Sequence, residues 1–275
     1  MGSIDTRTRE VATLDILKLA AVVFMLTDHV GLYLFETNWL RILGRPTAVI
    51  FGFLIGNARS RQVPPSWIAL GLALTLIEEW LDTDEEGTSL DILITLALTR
   101  IVMPYFDRLH AIEPRLLALV AVVLALLAEP VGKYLEYGTE VPLAALLGAA
   151  VRLNDGSRRD VGARDAVALV AICGLSLLAI RHFEFTGWEV VAATATFALT
   201  ICVLSRFRRE TVAAPAALAP LLRFVGHNTL WIYAAHVVVL QLVSWWLEEW
   251  VYSDDLGGTG GTILAAFASS CSWCW

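Results

Sequence analysis

Charged residues are scarce in this sequence, and their scarcity excludes an ordinary soluble domain. Asp, Glu, Lys and Arg make up 17% of the 275 residues, whereas hydrophobic residues make up 57%. That balance is typical of a chain that places most of its length in a lipid bilayer. The formal net charge of -7 is divided among many short segments. The sequence therefore gives no support to nucleic-acid binding, and we expect none.

Cysteine is also rare, with four in the whole chain. Cys173 and Cys202 lie within apolar runs, where a buried thiol is the ordinary finding. Cys271 and Cys274 form a terminal CSWC motif, but no second pair completes a zinc site and no strand-helix-strand pattern surrounds it. We therefore expect no metal ion, no bound cofactor and no thiol chemistry.

Three further signals are missing. The chain has no glycine-rich phosphate loop of the kind that precedes a nucleotide-binding helix. The first apolar run contains acidic and basic residues and lacks a small-residue cleavage site, so we interpret it as a retained first span and not as a signal peptide. No linker rich in Pro, Gly and Ser separates a soluble module, which predicts a single domain over residues 1–275. The tail, residues 253–275, is too irregular to assign.

Long apolar runs recur along the whole chain. They occupy residues 14–35, 47–55, 67–81, 90–105, 116–128, 142–151, 166–180, 190–204, 230–251 and, more weakly, 262–267. Several are shorter than the roughly 20 residues that an upright helix needs to cross the hydrocarbon. The pattern predicts an all-α, polytopic integral membrane helix bundle with about nine or ten transmembrane helices, some of them tilted or broken.

Lysine and arginine are distributed unevenly between the connections. If the N-terminus is cytoplasmic, thirteen of them fall in the inner segments, whereas the outer loops contain only Arg41, Arg45, Lys133 and Arg181. Cytoplasmic loops are the ones enriched in these residues. The bias predicts a cytoplasmic N-terminus and, for a bacterial protein, a multi-pass location in the inner membrane.

The first apolar run is polar along one face. Asp15, Lys18, Val22, Met25 and His29 follow the three- and four-residue spacing of one helical stripe. Lys18 and His29 are separated by about 16 Å along a helix axis. Ionisable groups at such depths cost free energy unless they are paired or face a wet cavity. We therefore expect Lys18 and Asp15 to contribute to substrate binding.

Asp28 and His29 are adjacent in the middle of this run, within the segment FMLTDHVGLYLF. His29 is a candidate general base, because imidazole exchanges a proton most readily near neutral pH. The alternative is a hydrogen-bonded polar cluster that fixes the packing of the helices. Asp28 points about 100° away from His29, so we expect it to pair with Arg41 or Arg45, or with a neighbouring helix.

A second polar face occurs in the last long apolar run. Thr229, Tyr233 and His236 share one face of the predicted helix, and Asn228 is its predicted N-terminal cap. Tyr233 and His236 are candidates for acceptor binding or for support of the catalytic group. The alternative for His236 is a core histidine with satisfied hydrogen bonds.

The N-terminal block resembles the TraX family of conjugative-pilus acetylases. The matching segments are LDILKLAAVVFMLTDHVGLYLF and LRILGRPTAVIFGFLIG. Weaker similarities follow in LDILITLAL, in the LEYG turn and in LWIYAAHVVVLQLV. The ending WIYAAH is closer to the broader membrane acyltransferases that modify sugars.

This resemblance implies a membrane acyltransferase that moves an acetyl group from cytoplasmic acetyl-CoA to an amine or hydroxyl. It implies His29, Asp28 and Arg45 as catalytic residues. The acceptor would be a pilin-like N-terminus or a glycan such as an amino-sugar. Cytoplasmic arginines such as Arg59, Arg61, Arg152 and Arg208 are candidates for the CoA phosphates, although the positive-inside bias alone also explains them.

Two other functions fit the same residues. A small transporter would use Lys18, Asp28, His29 and His236 as a polar path across the membrane. A non-catalytic protein of pilus or envelope assembly would need these residues only for packing. The sequence does not identify the acceptor or the oligomeric state.

Overall fold

A computed structural model describes residues 10–35, 37–81, 89–154 and 156–247. Over these residues the chain forms a helical bundle with one small ribbon. The elements are β1 (Glu10–Ala12), α1 (Thr13–Tyr33), α2 (Asn38–Gly44), α3 (Pro46–Asn57), α4 (Pro65–Leu81), α5 (Ile92–Ile112), α6 (Leu116–Gly132), α7 (Glu140–Leu153), α8 (Arg158–His182), α9 (Trp188–Ser205), β2 (Thr211–Ala213) and α10 (Ala219–Leu247).

The predicted helical membrane protein is confirmed. Five helices are long and apolar enough to span a bilayer: α1, the combined α2 and α3 over Asn38–Asn57, α8, α9 and α10. Helices α4, α6 and α7 are shorter, with 17, 17 and 14 residues, as the sequence led us to expect. The weak run at 262–267 and the tail 253–275 lie outside the described residues.

Successive helices run in opposite directions, so their connections alternate between two ends of the bundle. We name the end that contains the start of α1 the inner end, following the predicted orientation, and the opposite one the outer end. The inner end contains Asp107 of α5, which accepts hydrogen bonds from Arg61 at 2.8 Å and Arg152 at 2.5 Å. The outer end contains Arg41, Arg45, Lys133 and Arg181.

The outside of the bundle is strongly apolar. Leu126 of α6 and Leu199 of α9 are 75% and 68% exposed. Trp80 and Trp188 are still more exposed, and both lie at the outer end of their helices. Aromatic side chains collect at the two interfaces of a bilayer, and apolar ones face its hydrocarbon. This surface is the one that a membrane would cover.

Helices α3 and α7 form the centre of the bundle. At 12 and 14 residues both are too short to cross the hydrocarbon upright, but ten residues of α3 and nine of α7 are buried. Small residues allow their backbones to touch: a Cβ on Gly56 would lie 1.8 Å from the carbonyl oxygen of Ala145. A Cβ on Gly148 would lie 2.2 Å from that of Phe53. Such small-residue contacts are the usual means of close helix packing in membranes.

Two features of the described residues differ from the sequence prediction. A short antiparallel ribbon pairs Val11 of β1 with Val212 of β2, and three-residue strands give no detectable periodic signal. The last helix begins at Ala219, so Asn228 lies inside it and is not its cap. The Asn228 amide instead donates to the carbonyl oxygen of Phe224 at 2.8 Å.

We predict that Gly56→Ala lowers the thermal stability of the detergent-purified protein by about 1–3 kcal/mol, because the added methyl group collides with the backbone of α7. Gly162→Ala is the matched control. Gly162 lies in α8 with open space around its missing Cβ, so this change should leave the protein as stable or stabilise it by up to about 1 kcal/mol. Equal melting temperatures for the two variants would contradict the described packing.

Candidate functional site

A cavity of about 570 Å³ connects the inner end of the bundle to the middle of α1. Its size is typical of small-molecule sites. Near the inner end its lining includes Arg59, Arg100 and Arg209, with Trp67 beside them. Deeper, the lining includes Lys18, Asp28, His29, Glu136, Tyr137 and Tyr233. We call it the inner cavity.

His29 and His236 meet on the deep side of the inner cavity. The Nδ1 atom of His29 lies 2.6 Å from Nε2 of His236, and the two rings stack at an interplanar angle of 12°. The contact joins α1 to α10, which are 207 residues apart at this point. Periodicity placed each histidine on a polar face, and the structure brings the two faces together.

The hydrogen bonds around His236 fix which nitrogen atoms hold protons. Its Nδ1 lies 3.1 Å from the carbonyl oxygen of Ile232, which can only accept, so Nδ1 donates. In neutral His236 the Nε2 atom is then an acceptor, and the proton between the rings belongs to Nδ1 of His29. His29 therefore keeps the lone pair of its own Nε2. This is the tautomer that a general base needs.

Asp28 pairs with the arginines that the sequence suggested. Its Oδ2 atom accepts a short hydrogen bond from Arg45 and lies 3.5 Å from Nη1 of Arg41 and 3.4 Å from the Tyr137 hydroxyl. Its other oxygen, Oδ1, is buried and has no hydrogen-bond partner among the described residues. Asp28 is also among the residues that line the inner cavity.

The local sequence explains how Arg45 reaches Asp28. Gly44 lies directly against α1, where a Cβ would come within 2.2 Å of the Asp28 Cβ. Pro46 begins α3 and has no N–H to continue the hydrogen bonds of α2. Arg45 thus lies at the junction of α2 and α3, and the Phe183 ring covers its guanidinium at 4.5 Å.

A tight turn after α6 supplies two further site residues. Tyr137 and Gly138 both adopt positive φ, at 57° and 38°, and a Cβ on Gly138 would lie 2.8 Å from the Gly132 nitrogen. The turn is fixed to the start of α5, because the Ile92 N–H donates to a Glu136 carboxyl oxygen at 2.8 Å. Glu136 and Tyr137 are thereby directed into the bundle and not into solvent.

The same helix terminus holds a second acid. Asp91 is the N-cap of α5, and its Oδ1 accepts from the Leu93 N–H at 2.8 Å while its Oδ2 accepts from the Tyr233 hydroxyl at 2.6 Å. Burial raises the pKa of Asp91 to about 6. Burial, together with the charge of Asp91, raises the pKa of Glu136 to about 8. The two acids resist simultaneous ionisation, as expected for neighbouring buried carboxyls.

A second cavity, of about 560 Å³, opens at the outer end. We call it the outer cavity. Its lining includes Arg41, Arg45, Lys133, Arg181, Glu136, Tyr137 and Glu140. Glu136 and Tyr137 line both cavities, so the turn that contains them separates the two spaces.

The remaining sequence-predicted residues are only partly gathered. Lys18 lines the inner cavity, but its Nζ donates to the Gly226 carbonyl oxygen at 2.7 Å. Asp15 does not line it and packs against Gly226, where a Cβ would lie 2.3 Å from its carboxyl oxygen. Tyr233 lines the cavity with its hydroxyl already bonded to Asp91. The structure therefore favours packing for Asp15, and the substrate-binding roles remain predictions.

The candidates for CoA binding divide into two groups. Arg59 lines the inner cavity, whereas Arg61 and Arg152 are paired with Asp107 outside it. Sequence reasoning missed Arg100 and Arg209, which line the cavity. It also assigned no role to Glu136, Tyr137 and Glu140, although the LEYG segment contains the first two. Turn and loop residues produce no helical periodicity that would have identified them.

His110 and His182 occupy the last turns of α5 and α8. His236 is partly buried, and it lies 17 residues inside α10 because that helix begins earlier than predicted. His182 lines the outer cavity, whereas His110 lies 3.5 Å from Asp160 at the inner end.

We predict that Arg45→Gln destabilises the protein by about 3–5 kcal/mol, because it leaves the buried Asp28 carboxylate without its closest cation. Arg41→Gln should cost less, since Arg41 contacts Asp28 at 3.5 Å and is more exposed. Combining Arg45→Gln with Asp28→Asn should recover part of the loss in chemical or thermal unfolding. Additive effects of the two changes would contradict a direct ion pair.

We compared the chain with known proteins. One relative, an uncharacterized protein of Rickettsia prowazekii (strain Madrid E), is 23% identical over 236 residues, which is 83% of this chain and 91% of that protein. No solved structure matches. The family described as TraX protein matches residues 13–244, which include both cavities, the paired histidines and the Asp28–Arg45 contact. The chain therefore belongs to the TraX family.

Proposed function

We propose that this protein is an acetyl-CoA-dependent acyltransferase of the bacterial inner membrane, and that His29 is its general base. The observation that carries the proposal is the His29–His236 pair on the deep side of a cavity that begins among arginines. Membership of the TraX family supports the same reaction, because the sequence resembles the conjugative-pilus acetylases of that family. The acceptor is most simply an amine, such as a pilin-like N-terminus or an amino-sugar.

The inner cavity suits an anionic donor that enters from the cytoplasm. Arg59 is exposed at its inner end, and Arg100 has a buried Nε with no hydrogen-bond partner among the described residues. Guanidinium groups bind phosphates with paired, charge-assisted hydrogen bonds. Arg100 also lies over the Trp67 ring at 5.2 Å, and both residues line the inner cavity.

The chemistry follows from the tautomer of His29. The acceptor nitrogen attacks the thioester carbonyl carbon, the carbon–sulfur bond breaks, and CoA leaves as its thiol. The attacking amine must lose a proton, and the free Nε2 of His29 can take it. The N–H at Nδ1 of His29 donates its hydrogen bond to Nε2 of His236. This hydrogen bond stabilises the positive charge that develops on His29 when its Nε2 takes a proton. His236 then acts as a positioning residue.

We predict that His29→Ala reduces acetyl transfer by about two to four orders of magnitude, the usual contribution of a general base. Detergent-purified protein would be supplied with labelled acetyl-CoA and a panel of peptide amines and amino-sugars. His110→Ala is the matched control, because His110 lies in α5 outside both cavities and should leave the rate unchanged. His236→Gln, which keeps an acceptor oxygen, should lower kcat less than His236→Ala with little change in KM.

If well-folded wild-type protein neither binds acetyl-CoA nor transfers acetyl to any acceptor, the enzyme proposal is wrong. Two cavities that open to opposite ends would then favour a transporter, to be tested by uptake into proteoliposomes. If His29→Ala keeps full activity, the protein is an acyltransferase but His29 is not its general base.

We also predict that combining Arg59→Gln and Arg100→Gln raises the KM for acetyl-CoA about tenfold with little change in kcat, because each removes a charge-assisted contact to phosphate. Arg206→Gln is the control: Arg206 is not among the cavity residues and donates to the Cys202 carbonyl oxygen of its own helix. A comparable rise in KM for the control would mean that bulk charge at the inner end, and not the cavity, attracts the donor.

A further inference from the structure

The outer cavity contains charges of both signs at different depths. Arg181 and Glu129 are both 67% exposed, and Lys133 is also exposed, so these groups form its rim. Glu136 and Glu140 are only partly exposed, and Glu136 also reaches the inner cavity. The rim therefore presents two cations and one carboxylate, and the carboxyl groups of Glu136 and Glu140 lie deeper.

The cations of the outer cavity are not equally available. The Arg45 guanidinium is committed to Asp28, and Arg41 is shared between Asp28 and the Phe183 ring at 5.1 Å. Arg181 is loosely paired with Glu129 at 3.4 Å in an exposed position, where such a contact contributes little. The Lys133 ammonium group has no hydrogen-bond or ion-pair partner among the described residues. Lys133 and Arg181 are thus the groups that can accept an external anion.

From this arrangement we infer that the outer cavity is the acceptor site and that it binds a compact zwitterion: a primary amine directed to Glu136 and Glu140, with a carboxylate or phosphate near Lys133 and Arg181. This inference rests on the proposed function and adds to it the class of the acceptor and its direction of entry. The amine end would lie at the turn between the two cavities. That position is the one from which a nucleophile can approach the donor.

The floor of the outer cavity is also suited to preparing an amine. An α-amino group has a pKa of about 8, and burial raises the pKa of Glu136 to a similar value. Groups with matched pKa values exchange a proton readily. Glu136 can therefore hold the ammonium form of the acceptor and accept its proton before the amine meets the thioester.

Four small probes separate the two charges of the ligand. Glycylglycine has both an amine and a carboxylate, acetyl-glycylglycine has only the carboxylate, glycylglycinamide has only the amine, and the doubly capped peptide has neither. Binding to the detergent-purified full chain would be measured by calorimetry. We expect glycylglycine to bind about tenfold or more tightly than either singly capped peptide. Equal binding of all four probes would overturn the inference.

Paired variants assign each charge to its residues. Lys133→Gln with Arg181→Gln should remove the preference for the carboxylate, and Glu136→Gln with Glu140→Gln should remove the preference for the amine. The matched control is Arg115→Gln with Arg206→Gln, which removes the same charge at the opposite end of the bundle. Since Lys133 and Arg181 are exposed, the first pair should keep the melting temperature of the wild type. If either double variant of the outer cavity keeps the ligand preference of the wild type, the assignment of that charge is wrong.

Two further measurements identify the source of the zwitterion and separate the two proposals. Phosphoethanolamine in solution would be compared with nanodiscs of phosphatidylethanolamine and phosphatidylcholine, so that a free ligand and a lipid headgroup give different competition with glycylglycine. Acetyl-CoA binding and acetyl transfer would be measured on the same preparations. Charge-selective binding without acetyl-CoA binding would support the outer acceptor site and contradict the acyltransferase proposal. Acetyl-CoA binding and acetyl transfer without charge-selective binding would contradict the outer acceptor site alone.

Discussion

The buried ion pair between Asp28 and Arg45 is the interaction on which the site depends. A carboxylate in the middle of a transmembrane helix is costly unless a cation meets it, so this contact fixes α1 against the junction of α2 and α3. His29 is the next residue of α1 and points about 100° away. Once the arginines hold Asp28, the imidazole is directed towards α10 and His236. Gly44 matters to the same contact, because any side chain there would separate the two helices.

The turn between α6 and α7 shows how non-helical backbone is accommodated inside the bundle. Such backbone survives at membrane depth only where protein or a cavity surrounds it. Here the Glu136 N–H donates to the Leu90 carbonyl oxygen at 2.9 Å, and Thr95 donates to the Glu136 carbonyl oxygen at 2.9 Å. The free N–H groups at the start of α5 in turn stabilise the carboxyls of Asp91 and Glu136. A helix terminus and a strained turn therefore satisfy each other and together form the wall between the cavities.

Much of the fold, and half of the site, could be predicted from the sequence. Helical periodicity identified the polar faces of α1 and α10, and the angle of about 100° between Asp28 and His29 correctly led to Arg41 and Arg45 as partners of Asp28. What periodicity does not encode is contact between distant segments, and so Glu136, Arg100 and Arg209 were missed. The start of α10 was predicted about nine residues late because the polar GHN segment resembles a cap. In the fold these side chains bond within the helix, as Asn228 does, and the helix continues through them.

The two cavities share a wall at Glu136 and Tyr137, and this arrangement bears on how one site could serve two compartments. On the inner side, Asp28 Oδ1 and His29 Nε2 are acceptor atoms without a partner among the described residues. On the outer side, Lys133 and Arg181 are donors at an exposed rim. A substrate amine that moves inwards would thus leave cationic groups and meet groups that accept protons, which favours removal of its proton as it approaches the donor. An apolar wall of the same thickness would separate the two compartments equally well. It would, however, contain no group that accepts the proton of the amine. A polar wall costs stability, and in the proposed reaction its compensation is a set of acceptor groups for the proton of the amine.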